Sequence, residues 1–334
     1  MRRTYLFILL AVPLMLLPLA CTPPVNPFAE AKPGQKKILV SFPPLYALAH
    51  AVAGEDGYVV SMLTGEGPHG YHYSAHDLLK VNKADLLIYN GLELDEQFVD
   101  RLKDTNRNPS LVYLNIGKVM DKKHHDLLLH GEHEHEAEEG KDDKDAHKHD
   151  HKHGEHDPHI WLGPKQAMAM TKIIASKLSE IDPDRAKKYE KRADDFVKKL
   201  EKLEADGRAA LKGKKIKMVT MHESLGYFAD AFDIEIVGAI QKLPGTDPDS
   251  ASRAKLVKLC KEKKVTLIAI EPQYLGTQAE SLQATLKKDG VDVQIITVDP
   301  LETVKLEGNR SNPDPAYYLT KMKENIDAIV KAAP

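Results

Sequence analysis

DRAKKYEKRADDFVKKLEKLEADGRAAL, residues 184–211, is the stretch whose reading decides the fold. Its apolar side chains Ala186, Tyr189, Ala193, Phe196, Leu200 and Leu203 are spaced alternately three and four apart. That spacing draws one narrow stripe along a helix. Most of the remaining positions are Lys, Arg, Asp or Glu. At 1.5 Å per residue the helix is a rod of roughly 40 Å. A single narrow stripe does not suit the middle of a domain. It suits a rod lying along two lobes and joining them.

Outward from the rod, strands and helices alternate on both sides. On the N-terminal side strands are predicted at 36–42, 58–63, 84–89 and 111–114, with helices at about 43–52, 75–81 and 95–102. Pro164 starts a further helix to Ile181, which Asp182-Pro183 ends. On the C-terminal side strands are predicted at 215–220, 235–238, 266–270 and 292–298. Helices are predicted there at 225–231, 250–263, 278–289 and 315–331. Alternation of this kind implies two similar parallel-sheet α/β lobes. The expected boundaries are 36–182 for the first lobe, 183–211 for the linking helix and 212–334 for the second lobe. A chain of 334 residues is long enough for two real cores.

Residues 121–156 interrupt the first lobe. Ten of the sixteen histidines lie there: His124, His125, His130, His133, His135, His147, His149, His151, His153 and His156. Between Leu129 and Ile160 alanine is the only apolar residue, so a disordered loop is expected. Neutral imidazoles mixed with carboxylates suit zinc, and also copper or nickel, so all ten are auxiliary metal candidates. From Asp121 to Asp157 thirteen acidic side chains face six basic ones, a balance of −7. The formal net charge is −3, so the remainder carries about +4 without a concentrated basic patch. Nothing in that distribution argues for nucleic acid.

The N-terminus has the shape of an export signal. Arg2 and Arg3 precede an apolar run from Tyr5 to Ala20, too short and too proline-interrupted for a comfortable membrane span. The run ends at Leu17-Pro18-Leu19-Ala20-Cys21, which resembles the lipobox of bacterial lipoproteins. Residues 1–21 are then a lipoprotein signal, Cys21 is the lipidation site and 22–35 is a flexible Pro-rich tether. The expected location is outside the cytoplasm, on a membrane-anchored protein. Cys260, within Leu256-Val257-Lys258-Leu259-Cys260, reads as a buried thiol.

Ligands of open parallel sheets sit beyond the carboxyl ends of strands. Among metal-capable residues, His69, His222 and Asp299 fall at such ends, and His159 stands where the histidine tract rejoins ordered chain. Two come from each lobe. A cleft between lobes would gather three imidazoles and one carboxylate, a four-coordinate set suited to Zn(II).

GEGPHGYHYSAHDLLKVNKADLLIYNGLELD (65–95), DPHIWLGP (157–164), MHESLGYFADAFDIEIVG (221–238), IEPQY (270–274) and VDPLE (298–302) run through nearly the whole mature chain. Together they resemble the metal-binding substrate-binding proteins of bacterial ABC importers, the zinc and manganese uptake family. The resemblance implies that His69, His159 and His222 are the first three ligands and Asp299 the acidic one. It implies zinc as cargo, an ABC permease with its ATPase as partners, and two lobes bridged by a long helix. The protein is expected to act as a monomer. A histidine-rich loop just ahead of DPH is typical of the zinc members. Tyr73 and Ala75 replace the usual prolines of the first motif, and His72 and His76 are additional there.

Other functions compete with this reading. A manganese or iron member is the nearest, although three nitrogens to one carboxylate favour zinc. A zinc hydrolase is the rival from another class. His222-Glu223 begins like HExxH, but Gly226 stands where the second histidine belongs. A storage protein would not explain ligands converging from two lobes.

Overall fold

In Lys36–Val40 (β1), Ile38, Leu39 and Val40 are fully buried although alternate residues face opposite sides of the sheet. A strand covered on both faces requires helices on both sides, which is the parallel α/β arrangement. The computed structural model describes residues 26–131, 155–242, 244–308 and 310–333. Cys21, the signal segment and His133, His135, His147, His149, His151 and His153 lie outside the described residues.

The first sheet joins β1 to Gly57–Ser61 (β2), Leu86–Tyr89 (β3) and Val112–Asn115 (β4), in order β2-β1-β3-β4. The second joins Lys217–Thr220 (β5), Glu235–Ala239 (β6), Leu267–Ile270 (β7) and Gln294–Thr297 (β8), in order β6-β5-β7-β8. All strand pairs are parallel, so both lobes repeat one topology. Pro43–Ala53 (α1), Ala75–Lys83 (α2), Glu96–Thr105 (α3) and Ile116–Lys123 (α4) belong to the first lobe. Pro164–Ile181 (α5) and Ala186–Leu211 (α6) follow. Gly226–Phe232 (α7), Ser250–Lys263 (α8), Thr277–Lys288 (α9) and Tyr317–Ala332 (α10) complete the second lobe.

The rod α6 runs alongside α5 and touches both lobes, α1 in the first and α7 and α10 in the second. Near its start Arg192 donates to the carbonyl of Ala53 at 2.7 Å and pairs with Asp56. Toward its end Gly207 lets two second-lobe helices approach. A Cβ there would meet Phe232 at 2.6 Å and Ile326 at 2.9 Å. Tyr189, Ala193, Phe196 and Leu200 of the expected stripe are buried, while Ala186 and Leu203 are half-buried. One apolar core runs continuously from β1 through α5 and α6 to Met218, Leu267, Val298 and Tyr318. A smaller core covers the other face of the second sheet and contains Cys260, buried and unpaired. Burial pushes that thiol up to about 11.

Three segments depart from the sequence reading. Residues 116–123, with no predicted helix, form α4, because Asn115 caps it and Ile116 and Met120 bury one face. Residues 121–131, expected within a disordered loop, continue as the end of α4 and a short helical turn at His125–Leu127. Residues 26–35, expected to be tether, pack on the first lobe. Phe28 is buried there with its ring edge-on to Tyr58, and Gln35 donates to the carbonyl of Glu55.

Candidate metal centre

In each sheet the strand order reverses between the two central strands, and a crevice forms beyond their carboxyl ends. His222 stands two residues after β5, and Glu271 directly follows β7. His69 lies on the loop after β2, whose far end is held by Asp77. That carboxylate accepts from the Ser74 amide and hydroxyl and from the Tyr71 hydroxyl, each at 2.8 Å. His159 begins the turn Ile160–Leu162. Its place is set by Asn90, which donates to the carbonyl of Pro158 at 2.9 Å. Asn90 and Gly91 in turn donate their amides to the buried carboxylate of Asp95.

These elements bring His69, His159, His222 and Glu302 together, with one donor atom from each within 4.8 Å of all the others. His69 Nε2 and His159 Nε2 are 3.3 Å apart. Glu302 Oε1 is 3.3 Å from Nε2 of His69, 3.6 Å from that of His159 and 3.4 Å from that of His222. Four tetrahedral donors at about 2.0–2.1 Å from a zinc ion stand about 3.3 Å from one another. The four separations of 3.3–3.6 Å match that spacing, and the remaining pairs lie within 4.8 Å.

Two further carboxylates turn the imidazoles the right way. Asp157 Oδ1 is 2.7 Å from His159 Nδ1, and Glu271 Oε1 is 2.5 Å from His222 Nδ1. Each carboxylate fixes the proton on Nδ1 and leaves the Nε2 lone pair facing inward. His222 Nε2 is buried with no hydrogen-bond partner. Burial opposes charge on His222, yet Glu271 and Glu302 push its pKa up to about 10. Burial likewise works against the Glu302 charge, but His69 and His222 hold that carboxyl well below its usual range. Without metal, a proton on His222 supplies part of the positive charge that the carboxylates demand.

Asp299, expected as the acidic ligand, is not in this group. Its carboxylate accepts the Leu301 amide at 2.8 Å, while its backbone pairs with the Asn325 side chain. Burial, opposed by that amide, pushes its pKa up to about 6. Asp299 and the left-handed Leu301, at φ 65°, make the turn that delivers Glu302 three residues later. Glu302, Glu271 and Asp157 were missed from the sequence. Their one signal was position, in VDPLE, IEPQY and DPH at strand ends or beside the tract. His72 and His76 are exposed and outside the group. Of the auxiliary candidates, His125 and His156 gather with Asp121 in a second group. His130 stacks on His156, and His124 caps α4.

Residues 38–332 match the family described as "Zinc-uptake complex component A periplasmic", ZnuA. The chain belongs to the ZnuA family. It is 28% identical over 305 residues to the Bacillus subtilis high-affinity zinc uptake system protein ZnuA, covering 90% of this chain and 88% of that one. It is 29% identical over 302 residues to the zinc-binding lipoprotein AdcA of Streptococcus pneumoniae, but spans only 55% of that longer protein. The Zn(II)-bound ZnuA-like domain of S. pneumoniae AdcA superimposes with a TM-score of 0.67 at 26% identity, covering 90% of this chain and 99% of that one. An uptake component binds and hands on its cargo, so ZnuA membership replaces the hydrolase reading. The structure gives a physical reason that HExxH is not completed. A Cβ at Gly226 would stand 2.7 Å from Asp157 Oδ2, on the carboxylate that orients His159.

Proposed function

We propose that this protein captures Zn(II) outside the cytoplasm on His69, His159, His222 and Glu302 and delivers it to an ABC permease and its ATPase. The observation that carries the reading is the set of 3.3–3.6 Å separations between Glu302 Oε1 and three inward-facing Nε2 atoms. Three imidazoles to one carboxylate suit zinc better than manganese or ferrous iron, which prefer oxygen. Four protein donors close the shell, which suits carriage rather than hydrolysis of a bound substrate. Cys21 is the proposed lipid attachment, and the working unit is a monomer.

The test uses the chain prepared without a histidine tag and with residues 132–154 replaced by a short turn. Gly131 and Glu155 are already joined by an amide–carbonyl bond of 3.1 Å, so little chain is needed to close the gap. Metal content by mass spectrometry and competition titration should give one tight equivalent of zinc that manganese does not displace. Absence of tight zinc in that protein sinks the assignment. Replacing Cys21 with Ser should release the full-length protein from the membrane fraction.

A further inference from the structure

We propose that Asp121, His125 and His156 form a second site for a zinc-class divalent ion, at the foot of the histidine segment and separate from the cleft. Donor atoms of the three residues lie within 4.8 Å of one another. Asp121 is in the last turn of α4, and His125 opens the short helical turn that follows the cap at His124. His125 Nδ1 is 2.9 Å from Asp121 Oδ1. His156 comes from the other end of the segment. The Asp157 amide donates to the Leu129 carbonyl at 2.9 Å and the Gly131 amide to the Glu155 carbonyl at 3.1 Å, placing His130 opposite His156. This clasp sets His156 Nε2 3.6 Å from the same Asp121 oxygen.

Two observations point to a cation there. His156 is 6% exposed, and its Nδ1 is buried without a hydrogen-bond partner. Its Nε2 is farther from Asp121 than a hydrogen bond reaches. Burying a ring nitrogen without a partner is costly, and the single lone pair of a neutral imidazole, placed on Nε2 beside Asp121, is available to a cation. Among the described residues, Asp121 is paired with two imidazoles and with no lysine or arginine, although Lys122 and Lys123 adjoin it. A carboxylate oxygen shared by two imidazoles, one of them buried, offers a cation three donor atoms at one point. Imidazole and carboxylate together select the zinc class over calcium or magnesium. Asp121 and His125 are exposed, so the fourth position is open to water and the ion exchanges more readily than in the closed cleft. His156 also adjoins Asp157, the residue that orients His159. An ion held here would be stationed next to the chain that forms the cleft.

The experiment uses the full chain in four forms: natural, Asp121→Asn/His125→Gln, His222→Ala, and all three substitutions together. Each is dialysed to equilibrium against buffered zinc, and bound metal is counted. The exposed pair should remove one weaker equivalent from both the natural and the His222→Ala chain, leaving the tight equivalent of the natural chain in place. A zinc-edge anomalous map of the natural chain should show a peak about 2.0–2.2 Å from atoms of all three side chains. Equal zinc counts with and without the pair of substitutions overturn the proposal. So does a map in which the cleft is filled and these three side chains are bare. The proposal does not depend on the cleft, because the pair's effect is read in a cleft-deficient background as well.

Discussion

Asp299 and Glu302 show how three residues of separation divide two carboxylates between unlike tasks. Asp299 Oδ1 accepts the Leu301 amide within the turn, and Glu302 faces the imidazoles. Replacing Glu302 with Gln removes the only charged donor, and Glu271→Gln removes the group that orients His222. Outer partners of metal-binding histidines are typically worth about 10–100-fold in affinity. Competition titration should therefore show a loss of that order for Glu271→Gln, a loss at least as large for Glu302→Gln, and a smaller one for Asp299→Asn. Equal losses at 299 and 302 would contradict the division of labour.

The charge on His222 gives a second expectation at this scale. Its pKa in the metal-free protein is about 10, so it is protonated throughout the neutral range. Zinc needs the neutral ring and must displace that proton. Binding at pH 7–8 should release close to one proton from His222, measurable by calorimetry in buffers of differing ionisation heat. Affinity should fall by on the order of two or more decades between pH 7.5 and 5.5. The metal-free fold shows the opposite trend. A raised histidine pKa stabilises it fully below the unfolded value and loses that contribution as pH rises through about 10. Zinc-free protein should therefore melt lower at alkaline pH. A flat binding profile would mean that the histidines do not hold the metal.

Among the elements, α6 and its partner α5 tie the two lobes. Gly207 sits where α6 meets α7 and α10, with Phe232 and Ile326 closer than an added Cβ allows. A leucine there would gain about 1 kcal/mol in helix propensity. Overpacking a closed interface costs about 1–3 kcal/mol and occasionally more, so the steric effect wins. Gly207→Leu should lower the urea midpoint with an unchanged slope, and a raised midpoint would show that the interface has room to spare.

Over the whole molecule, the lobes share one core and are pinned at its centre. Trp161 is fully buried, packs edge-on against Phe42 of the first lobe and donates to the carbonyl of Pro300 of the second at 2.8 Å. Tyr318 donates from α10 to the carbonyl of Trp161 at 2.6 Å. The loops bearing His69 and Glu302 are joined as well, by the Val304 amide on the Thr64 carbonyl at 2.7 Å. Wide opening would have to break these contacts and expose shared core. Zinc-free and zinc-loaded protein should therefore have radii of gyration within about 1 Å in small-angle scattering. A larger change would show a hinge that the shared core is expected to forbid.

The parallel lobes, the rod and the three cleft histidines were legible in the chain alone, because hydrophobic period and strand ends are local properties. The stripe from Tyr189 to Leu200 and the position of His222 just beyond β5 needed no knowledge of distant residues. That Glu302, and not Asp299, faces the three imidazoles was not legible. It depends on the Leu301 turn and on Asn325, a residue 26 positions away that claims the Asp299 backbone. The docking of Phe28 on Tyr58 and the meeting of His156 with Asp121 are likewise long-range events. Sequence pattern determined which faces must be buried and where ligands can stand. Only tertiary packing decided which carboxylate turned toward the imidazoles, because the turn that holds the Asp299 carboxylate is itself fixed by Asn325 from α10.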